Sequence, residues 1–559
     1  MKKYFFLIFL SILVSLGVCS ANQPKNVILM ISDGAGFNAF DAASYYQHGR
    51  LGQQVYDGFP VKIGCTTYML KSDGKPQGYD PVQMWNNFNY ARINPTDSAA
   101  AATAINSGVK SYVDAVNFNF NRKRLRTAAE ILEDIGKSTG AVTSVFFSHA
   151  TPACVSAHNV WRDNYDQIAN EMIYESGLDV IMGCGQGTPN NFYVGGNDTW
   201  TDITDVDGAN RFVYIADKND FAMIADSNYA EYLPDKVLGI CHAWNTLSEN
   251  PANVPTLATM SVGALNVLSK NKNGFYVMIE GGAVDWENHD RNISGMIREQ
   301  IGFNDAVEAV VGWIENNGGW DENLLMVTSD HECGMIWGPN SYTDVSKNGV
   351  YVPGVDIFNG WNHVVNNGDG NIPGVQYGSN YHTNALVPFY AKGAGSEIFA
   401  ELVRGNDSNA GAFWNFSGDF IDNTDIFNAV YSLCVDIRLD FENHDGLVNF
   451  KEYAAMVNGY QAEQGDLNWD AACDISQPAD GVVDIADFVV LADNWLGNFM
   501  SCDFNFDGIV DFYDYCIMSD AWNSSPGLVG WDAACDVGLP KDDYIDERDL
   551  AVLTDRWLK

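Results

Sequence analysis

The chain has 559 residues, 46% of them hydrophobic, which is enough for a large core and predicts about two to four domains. Its formal net charge of −41 excludes a nucleic-acid-binding protein of the ordinary basic kind and suggests a saline habitat or bound cations. From Asp436 onward, about 26 acidic residues stand against about 6 basic ones, so roughly half of the net charge lies in this tail. We therefore expect cation sites in the tail.

The first 21 residues have the pattern of a secretory signal peptide. Two lysines precede an apolar run over 4–18, and three small residues end at Ala21. A lipoprotein anchor at Cys19 is the less favoured alternative, because Val18 is large for that cleavage site. We expect a secreted, periplasmic or cell-surface protein with no transmembrane segment, in which cysteine pairing is permitted but its connectivity stays open.

The first two predicted elements of the mature chain each carry polar residues at one end. NVILMISDGAG is a continuous apolar run that ends in Asp33 and two glycines, as a buried strand followed by a turn would. PTDSAAAATA predicts a helix whose first turn presents Asp97 and Ser98, because alanine favours helices and Asp or Ser favours their starts. Taken alone, these segments are a turn and a capped helix.

Two later strands repeat the pattern of the first one. GFYVMIEGG ends in Glu280, and LLMVTSDHE ends in Asp330. Helical segments such as 127–136 and 297–316 separate these runs, which predicts an α/β fold: a three-layer α/β/α sandwich around a central, mostly parallel sheet. Because ligands bind beyond the carboxyl ends of strands in such sheets, the three acids point to one shared edge.

Histidines accompany these acids in three places. Asp285 and His289 are four residues apart and share one face if the segment is helical. His331 directly follows the acid of the third strand, and His382 precedes another strand-like run. Mixed imidazole and carboxylate ligands suit Zn²⁺, whereas Asp33, Glu280 and a hydroxyl suit a hard ion such as Mg²⁺.

Six segments together resemble the alkaline phosphatase family, over about residues 25–435 and in the family's order. They are NVILMISDGAG, TDSAAAATAINSGVK, HATPACVSAHNVWR, VMIEGGAVDWENH, VTSDHE and YHTNALVPFYAKG. The resemblance implies a secreted phosphomonoesterase that acts through a phosphoserine intermediate, with two zinc ions and one magnesium ion. It places the catalytic domain at 22–435, with irregular insertions at about 188–239 and 333–380.

The resemblance also implies a role for each residue of the site. Ser98 is the nucleophile, Arg162 clamps the phosphate, and Asp97 orients the arginine or the helix start. The first zinc is held by Asp285, His289 and His382, the second zinc by Asp33, Asp330 and His331, and the magnesium by Asp33, Thr151 and Glu280.

General chemistry agrees with these roles. A serine hydroxyl needs a metal or a base to become nucleophilic, and the start of a helix offers a positive dipole end and free N–H groups to phosphoryl oxygens.

Two positions vary within the family, and here they hold His149 and Trp286. His149 contacts phosphate through water or only supports the ligands from behind, and both alternatives stay open. The identity of the third metal, magnesium or zinc, stays open with them. The aromatic residues of the second insertion shape substrate access or pack within the insertion; they are Trp337, Tyr342, Tyr351, Phe358 and Trp361.

The acidic tail, residues 436–559, contains an internal repeat. WDAACD occurs at 469–474 and again at 531–536, a period of about 62 residues, and the two repeats hold four calcium-type loops. Short helices follow these loops, so the tail is predicted to be a small, mostly α module that resembles dockerins more than full EF-hands. Its spacing is looser than a dockerin's.

The calcium ligands predicted in the tail fall into four sets. The loop nearest to the ideal has Asp503, Asn505, Asp507, Asp511 and Asp514; a degraded loop has Asn443, Asp445 and Glu452; two longer loops have Asp474, Asp480, Asp484 and Asp487, and Asp536, Asp542, Asp546 and Asp549.

Two other functions compete with the phosphomonoesterase hypothesis. One is a phosphodiesterase of the same superfamily, and the other is a calcium-dependent adhesion or scaffold protein that carries a phosphatase domain. The sequence leaves the natural ester, a protein partner of the tail and a homodimer open.

Overall fold

The computed structural model describes residues 23–205, 211–342 and 360–434, together with the isolated residues 473, 482 and 483. The predicted signal peptide and the four predicted calcium loops of the tail lie outside the described residues.

The strands of the described part are short to medium in length. In chain order they are β1 (Asn26–Ser32), β2 (Val61–Thr66), β3 (Ser138–Phe146), β4 (Val180–Cys184), β5 (Val213–Ile215), β6 (Val237–Ile240), β7 (Phe275–Gly281), β8 (Asn323–Thr328), β9 (Glu332–Cys333), β10 (Ile336–Trp337), β11 (Gln376–Tyr377), β12 (His382–Thr383), β13 (Val387–Gly393), β14 (Gly405–Asn406) and β15 (Asp419–Asp422).

The helices alternate with the strands along much of the chain. They are α1 (Phe37–His48), α2 (Pro81–Asn86), α3 (Ser98–Ser107), α4 (Ala128–Asp134), α5 (Ala150–Ala153), α6 (Tyr165–Asn170), α7 (Gly196–Ile203), α8 (Lys218–Ala225), α9 (Leu257–Leu268), α10 (Ala283–His289), α11 (Ile293–Asn316), α12 (Gly319–Glu322), α13 (Ile398–Glu401), α14 (Ser408–Trp414) and α15 (Thr424–Cys434).

Eleven strands form one central sheet in the order β14-β15-β2-β13-β8-β1-β7-β3-β4-β6-β5. From β8 to β5 in that order, all neighbouring strands are parallel. Strand β13 runs antiparallel to both of its neighbours, β8 and β2. The predicted mostly parallel sheet is therefore confirmed.

Hydrophobic cores cover both faces of this sheet. In β1, Val27, Leu29 and Ile31 belong to the core that includes residues of α3, α4, α5 and α15. The alternate residues Ile28 and Met30 belong to the core that includes residues of α1, α9 and α11. Side chains of a strand alternate between its faces, so this division confirms the three-layer arrangement.

The three strands that end in acids are direct neighbours. Strand β1 lies between β8 and β7, and its Ile31 is aligned with Glu280 on one side and Thr328 on the other. Asp33 and Asp330 follow one and two residues beyond the ends of β1 and β8. The carboxyl ends of parallel strands meet at one edge, so the expected convergence of the acids is confirmed.

The antiparallel direction of β13 explains why His382 precedes its strand. A reversed strand begins at the edge where its neighbours end, and β13 is aligned with β8 in this way. The residues just before Val387 therefore reach the edge that carries Asp33 and Asp330. His382 itself lies on β12, which pairs with β9 directly after His331.

The segment 188–239 is not the irregular insertion that was expected. Its described residues include α7 and α8 and the strands β5 and β6, which form one edge of the central sheet. These strands have three and four residues. Runs of three or four residues are too short to show the alternation of apolar and polar residues that predicts a strand, so the sequence did not predict β5 and β6.

The described aromatic residues of the second insertion are packed against the rest of the fold. Trp337 and Trp361 are 3% and 2% exposed, and both contact Trp85 of α2. Trp337 also packs against Trp414 of α14. These tryptophans therefore pack the insertion against α2 and α14. Tyr351 and Phe358 lie outside the described residues.

The described residues bear on two further predictions, the pairing of cysteines and the absence of a membrane span. Free thiols occur at Cys65, Cys154, Cys184, Cys241, Cys333 and Cys434. No helix of the described residues has both the length and the apolar character that a membrane span requires.

Candidate active site

Ser98 is the first residue of α3, and Asp97 caps this helix. The Asp97 carboxylate accepts hydrogen bonds from the N–H groups of Ala99 (3.3 Å) and Ala100 (3.1 Å). Two of the N–H groups expected to be free are therefore occupied, and the helix start offers mainly its dipole. Ser98 is 2% exposed, and its Oγ lies 3.2 Å from Nε2 of His331.

The first donor group contains Asp285, His289 and His382. Nε2 of His289 lies 3.0 Å from Nε2 of His382 and 3.2 Å from Oδ2 of Asp285, while Nε2 of His382 lies 3.4 Å from Oδ1 of Asp285. The two Nδ1 atoms lie 2.8 Å from the backbone carbonyl oxygens of Asn380 and Thr96. These hydrogen bonds turn both Nε2 atoms toward one point, as in many metal sites.

The second donor group is centred on His331. Its Nε2 lies 3.2 Å from Oδ2 of Asp330 and 3.6 Å from Oδ1 of Asp33, and all three side chains are fully buried. Donor atoms of Asp33, Asp285 and His331 lie within 4.8 Å of one another. The first and second groups are thus adjacent, and Ser98 stands beside the second.

The third donor group lies on the other side of Asp33. Donor atoms of Asp33, His149 and Glu280 are within 4.8 Å of one another, and Thr151 is fully buried on α5. The Thr143 hydroxyl donates a hydrogen bond to Oε2 of Glu280 and leaves Oε1 without a partner. Asp33 therefore belongs to both the second and the third group.

Buried polar atoms without a hydrogen-bonding partner are concentrated in these three groups. Buried polar atoms normally have partners, so such a concentration needs an explanation. Oxygen and imidazole atoms around a common point are the donors that divalent metal ions bind, so the residues fit the metals that the sequence predicts. In these groups the unpartnered atoms are both carboxylate oxygens of Asp33, Oδ1 of Asp285, Oδ2 of Asp330, Oε1 of Glu280, Oγ1 of Thr151, and Nδ1 of His149 and His331.

Without a bound metal ion, the burial and crowding of these carboxyl groups make their ionised forms unfavourable. Burial, and then the carboxylates of Asp330, Asp285 and Glu280, raise the pKa of Asp33 well above its ordinary value. Burial is also the main cause that raises the pKa of Glu280 to about 7 and that of Asp330 to about 6. A bound cation reverses this effect, because it favours the ionised form of every neighbouring carboxylate.

Arg162 reaches this cluster from the side of α3. Its Nη1 donates to Oδ2 of Asp97 (2.9 Å), and its Nη2 donates to Nε2 of His149 (3.1 Å). Burial and the charge of Arg162 lower the pKa of His149 to about 3, so this imidazole is neutral and accepts the hydrogen bond. Asp97 thus contacts both the helix start and the arginine, the two roles proposed for it. The Trp286 ring packs edge-on against His149, with ring centroids 5.8 Å apart.

The family description "Alkaline phosphatase" matches residues 24–430, which is more than half of the chain. The chain belongs to the alkaline phosphatase family.

Curated alkaline phosphatases of several organisms are similar to this family member. Alkaline phosphatase 3 of Bacillus subtilis is 27% identical over 326 residues, which cover 56% of this chain and 62% of the relative. Alkaline phosphatase 4 of the same organism is 32% identical over 246 residues, covering 43% and 50%. The alkaline phosphatase of Escherichia coli is 28% identical over 352 residues, covering 56% and 71%. The chain thus spans about half to two thirds of the length of the two Bacillus relatives.

Solved structures of the family share this fold. The alkaline phosphatase of the Antarctic bacterium TAB5 has a TM-score of 0.51 at 24% identity, over 74% of this chain and 98% of its own. That of a psychrophilic Shewanella has a TM-score of 0.52 at 23% identity, over 73% and 99%. A His-to-Asp mutant of the TAB5 enzyme, 25% identical, is described as having Mg bound in the M3 site.

Several residues at this alkaline phosphatase site were not singled out from the sequence. Thr143 acts on Glu280 from the neighbouring strand β3, and the carbonyl groups of Thr96 and Asn380 orient histidines; none of these has a sequence signal. Cys333 joins the first donor group, and its position two residues after His331 was a usable signal.

Proposed function

We propose that this chain is a metal-dependent phosphomonoesterase in which Ser98 is the nucleophile. The observation that carries the proposal is the position of Ser98 Oγ, 3.2 Å from His331 Nε2 and beside three contiguous groups of metal-competent donors. A helix cap alone does not require such surroundings. The family relatives, all named alkaline phosphatases, support the same reaction.

The metal assignment follows the first two donor groups and, in the third, takes Thr151 in place of His149, whose Nε2 is occupied by Arg162. Asp285, His289 and His382 would hold one zinc, Asp33, Asp330 and His331 a second zinc, and Asp33, Thr151 and Glu280 a magnesium ion. When bound, a close pair of such ions stabilises the entering and the leaving oxygen of an in-line displacement at phosphorus.

The protein's own residues perform the transfer in two steps. The Ser98 oxygen attacks phosphorus while the ester oxygen departs, which gives a phosphoserine and an alcohol. The proton that Ser98 loses leaves with the alcohol. Water then attacks the phosphoserine and releases inorganic phosphate, and a proton of that water goes to the Ser98 oxygen as the bond to phosphorus breaks. The positive end of α3 faces the phosphoryl group in both steps.

Arg162 holds the phosphoryl group while this happens. A guanidinium presents a planar fork that matches two phosphate oxygens. Asp97 fixes one side of the fork, and neutral His149 accepts from the other without opposing its charge. The arginine is therefore held in position before the substrate arrives, which lowers the entropic cost of binding.

The test uses the full chain loaded with zinc and magnesium at alkaline pH. We expect release of phosphate from an aryl phosphate, and loss of about 10³-fold or more in kcat for Ser98→Ala, because the nucleophile is removed. Ser107→Ala is the matched control, since Ser107 is a buried serine on the same helix whose hydroxyl donates to the carbonyl of Thr103 and accepts from the N–H of Val109, away from the donor groups. A fully active Ser98→Ala variant, or faster hydrolysis of an aryl diester than of the monoester, would contradict the proposal.

The tail is proposed to bind calcium, and the N-terminal segment to direct export. Support comes from the repeated acidic loops and from the lysine–apolar–small-residue pattern. Calcium titration of the full chain, with Asp503→Ala and Asp507→Ala together as the variant, tests the first point: fewer bound ions are expected. The N-terminus of the mature protein tests the second, with Asn22 expected as the first residue.

A further inference from the structure

The thiol of Cys333 lies among the residues of the first donor group. Donor atoms of Asp285, His289, Cys333 and His382 all lie within 4.8 Å of one another. Cys333 has no exposed surface. A buried thiol in ordinary core is surrounded by apolar side chains, but this one faces two imidazoles and a carboxylate.

The backbone fixes Cys333 in this place. Strand β9 pairs with β12 in antiparallel fashion, and Cys333 stands directly opposite His382. Directly opposed residues project their side chains from the same face, with Cβ atoms about 4.5–5.5 Å apart. The Cys333 N–H bonds the carbonyl oxygen of Gly34 at 3.0 Å, and the N–H of Gly334 bonds that of Tyr381 at 3.1 Å. The thiol and the His382 imidazole are therefore presented together.

The other donors are close enough together to bind one zinc ion, and a fourth protein ligand leaves room for a substrate oxygen because zinc can expand to five ligands. Zinc–ligand bonds of about 2.0–2.3 Å imply donor–donor separations of roughly 3.3–3.6 Å in a tetrahedron. The three measured separations among Asp285, His289 and His382 are 3.0, 3.2 and 3.4 Å. Oδ1 of Asp285 is buried and has no hydrogen bond of normal geometry, and Nε2 of His382, another donor of this group, lies 3.4 Å from it.

We propose that Cys333 is a fourth protein ligand of the metal ion held by Asp285, His289 and His382. The thiol binds as its thiolate and gives its proton to solvent. The inference rests on the proposed function, because it requires that this group holds a metal. A soft sulfur ligand favours zinc over harder ions such as magnesium or manganese, so Cys333 makes this position the most zinc-selective of the three.

Cobalt substitution of the full-length protein tests the proposal directly. A thiolate bound to Co²⁺ gives a sulfur-to-metal charge-transfer absorption in the near ultraviolet, which imidazole and carboxylate ligands alone do not give. We expect this absorption in the wild-type protein and its loss in Cys333→Ser. Cys65→Ser, a buried cysteine on β2 whose thiol bonds only the carbonyl of Thr66, should retain it.

Zinc retention gives a second measurement. In competition with a chelator, Cys333→Ser should hold one of its zinc ions roughly 10- to 100-fold more weakly, a loss of the size seen when support for a metal ligand is removed. The Cys65→Ser variant should behave as wild type.

The possible outcomes distinguish failure of metal ligation by Cys333 from failure of the proposed phosphomonoesterase function. Wild-type protein that binds Co²⁺ and releases phosphate, but shows no sulfur-to-metal absorption, overturns ligation by Cys333 and leaves the proposed function standing. The thiol would then only donate a hydrogen bond to Asp285. An absorption that persists in Cys333→Ser also overturns it. Protein that binds neither cobalt nor zinc in the donor groups overturns the proposed function itself.

Discussion

At the scale of single residues, the site depends on side chains that hold other side chains in place. Asp97 contacts the start of α3 and the guanidinium of Arg162, and His149 contacts the other side of the same guanidinium. Burial opposes the charge of Arg162, but Asp97 outweighs this and raises its pKa. The arginine is therefore a permanently charged, oriented group.

Replacing Arg162 with lysine should show what this orientation contributes. Arg162→Lys keeps the charge but loses the fork, and a lost hydrogen bond to a charged group is worth about 1.5–3 kcal/mol, or about 10- to 100-fold in kcat/KM. We expect a higher KM for an aryl phosphate and weaker inhibition by phosphate. Arg404→Lys, which changes an arginine paired with Asp425 outside the site, is the control. Equal effects of the two changes would contradict a phosphate-binding role.

Gly34 should be irreplaceable at the turn after β1. It has a φ of +71°, and an added Cβ would lie 2.7 Å from the backbone of Asp285. Gly34→Ala should therefore displace Asp285 and weaken metal retention, besides the about 1 kcal/mol that a left-handed conformation costs alanine. Gly187→Ala is matched, because Gly187 has a φ of +87° and nothing within 4 Å. The thermal unfolding temperature and the zinc content are measured for both variants. Similar losses of stability and zinc in the two variants would exclude a steric effect of the added Cβ on Asp285.

At the scale of elements, much of the site follows from strand ends. The sequence alone predicted that three apolar runs end in acids and that these acids share an edge, and β8, β1 and β7 are indeed neighbours. It also predicted the helix that begins at Ser98. The sequence did not predict the reversed direction of β13 or the edge position of β5 and β6, because strand order depends on packing between distant segments. Cys333 was overlooked although it stands two residues after His331, because its place in the first donor group depends on the pairing of β9 with β12.

The acids at these strand ends should make the metal-free protein sensitive to pH. Glu280 and Asp330 have pKa values of about 7 and about 6 in the folded, metal-free state, against about 4 in an unfolded chain. A raised acidic pKa means that the folded state binds protons more tightly. The stabilisation that these two carboxyl groups contribute is thus fully present below about pH 4. It is lost as the pH rises from there through their folded pKa values of about 6 and about 7, by about 1 kcal/mol per pH unit for each group.

Chelation experiments should reveal this sensitivity. We expect the chelator-treated protein to lose thermal stability from about pH 4 to about pH 7 and to level off above that, while the metal-loaded protein does not lose it, because the ions neutralise the carboxylates. The stabilisation by zinc and magnesium should therefore grow with pH. A metal effect that is the same at pH 5 and pH 8 would contradict the assignment of these acids as ligands.

At the scale of the whole molecule, the net charge of −41 acts against an anionic substrate. A negatively charged protein repels phosphate esters through long-range electrostatic forces, and dissolved salt screens this repulsion. We expect kcat/KM for an aryl phosphate to rise by about two- to tenfold as ionic strength increases from about 0.01 M to 0.15 M. Sodium and calcium salts compared at equal ionic strength separate screening from calcium binding. A flat profile would show that the local charge of the metals and Arg162 dominates the approach.

The wide separation of the donors along the chain has a consequence for biosynthesis. The first donor group takes Asp285 and His289 from α10 and His382 from β12, which pairs with β9. A nascent polypeptide that has not yet emerged beyond residue 382 therefore lacks one of the three side chains of the proposed first zinc site, whatever else has folded.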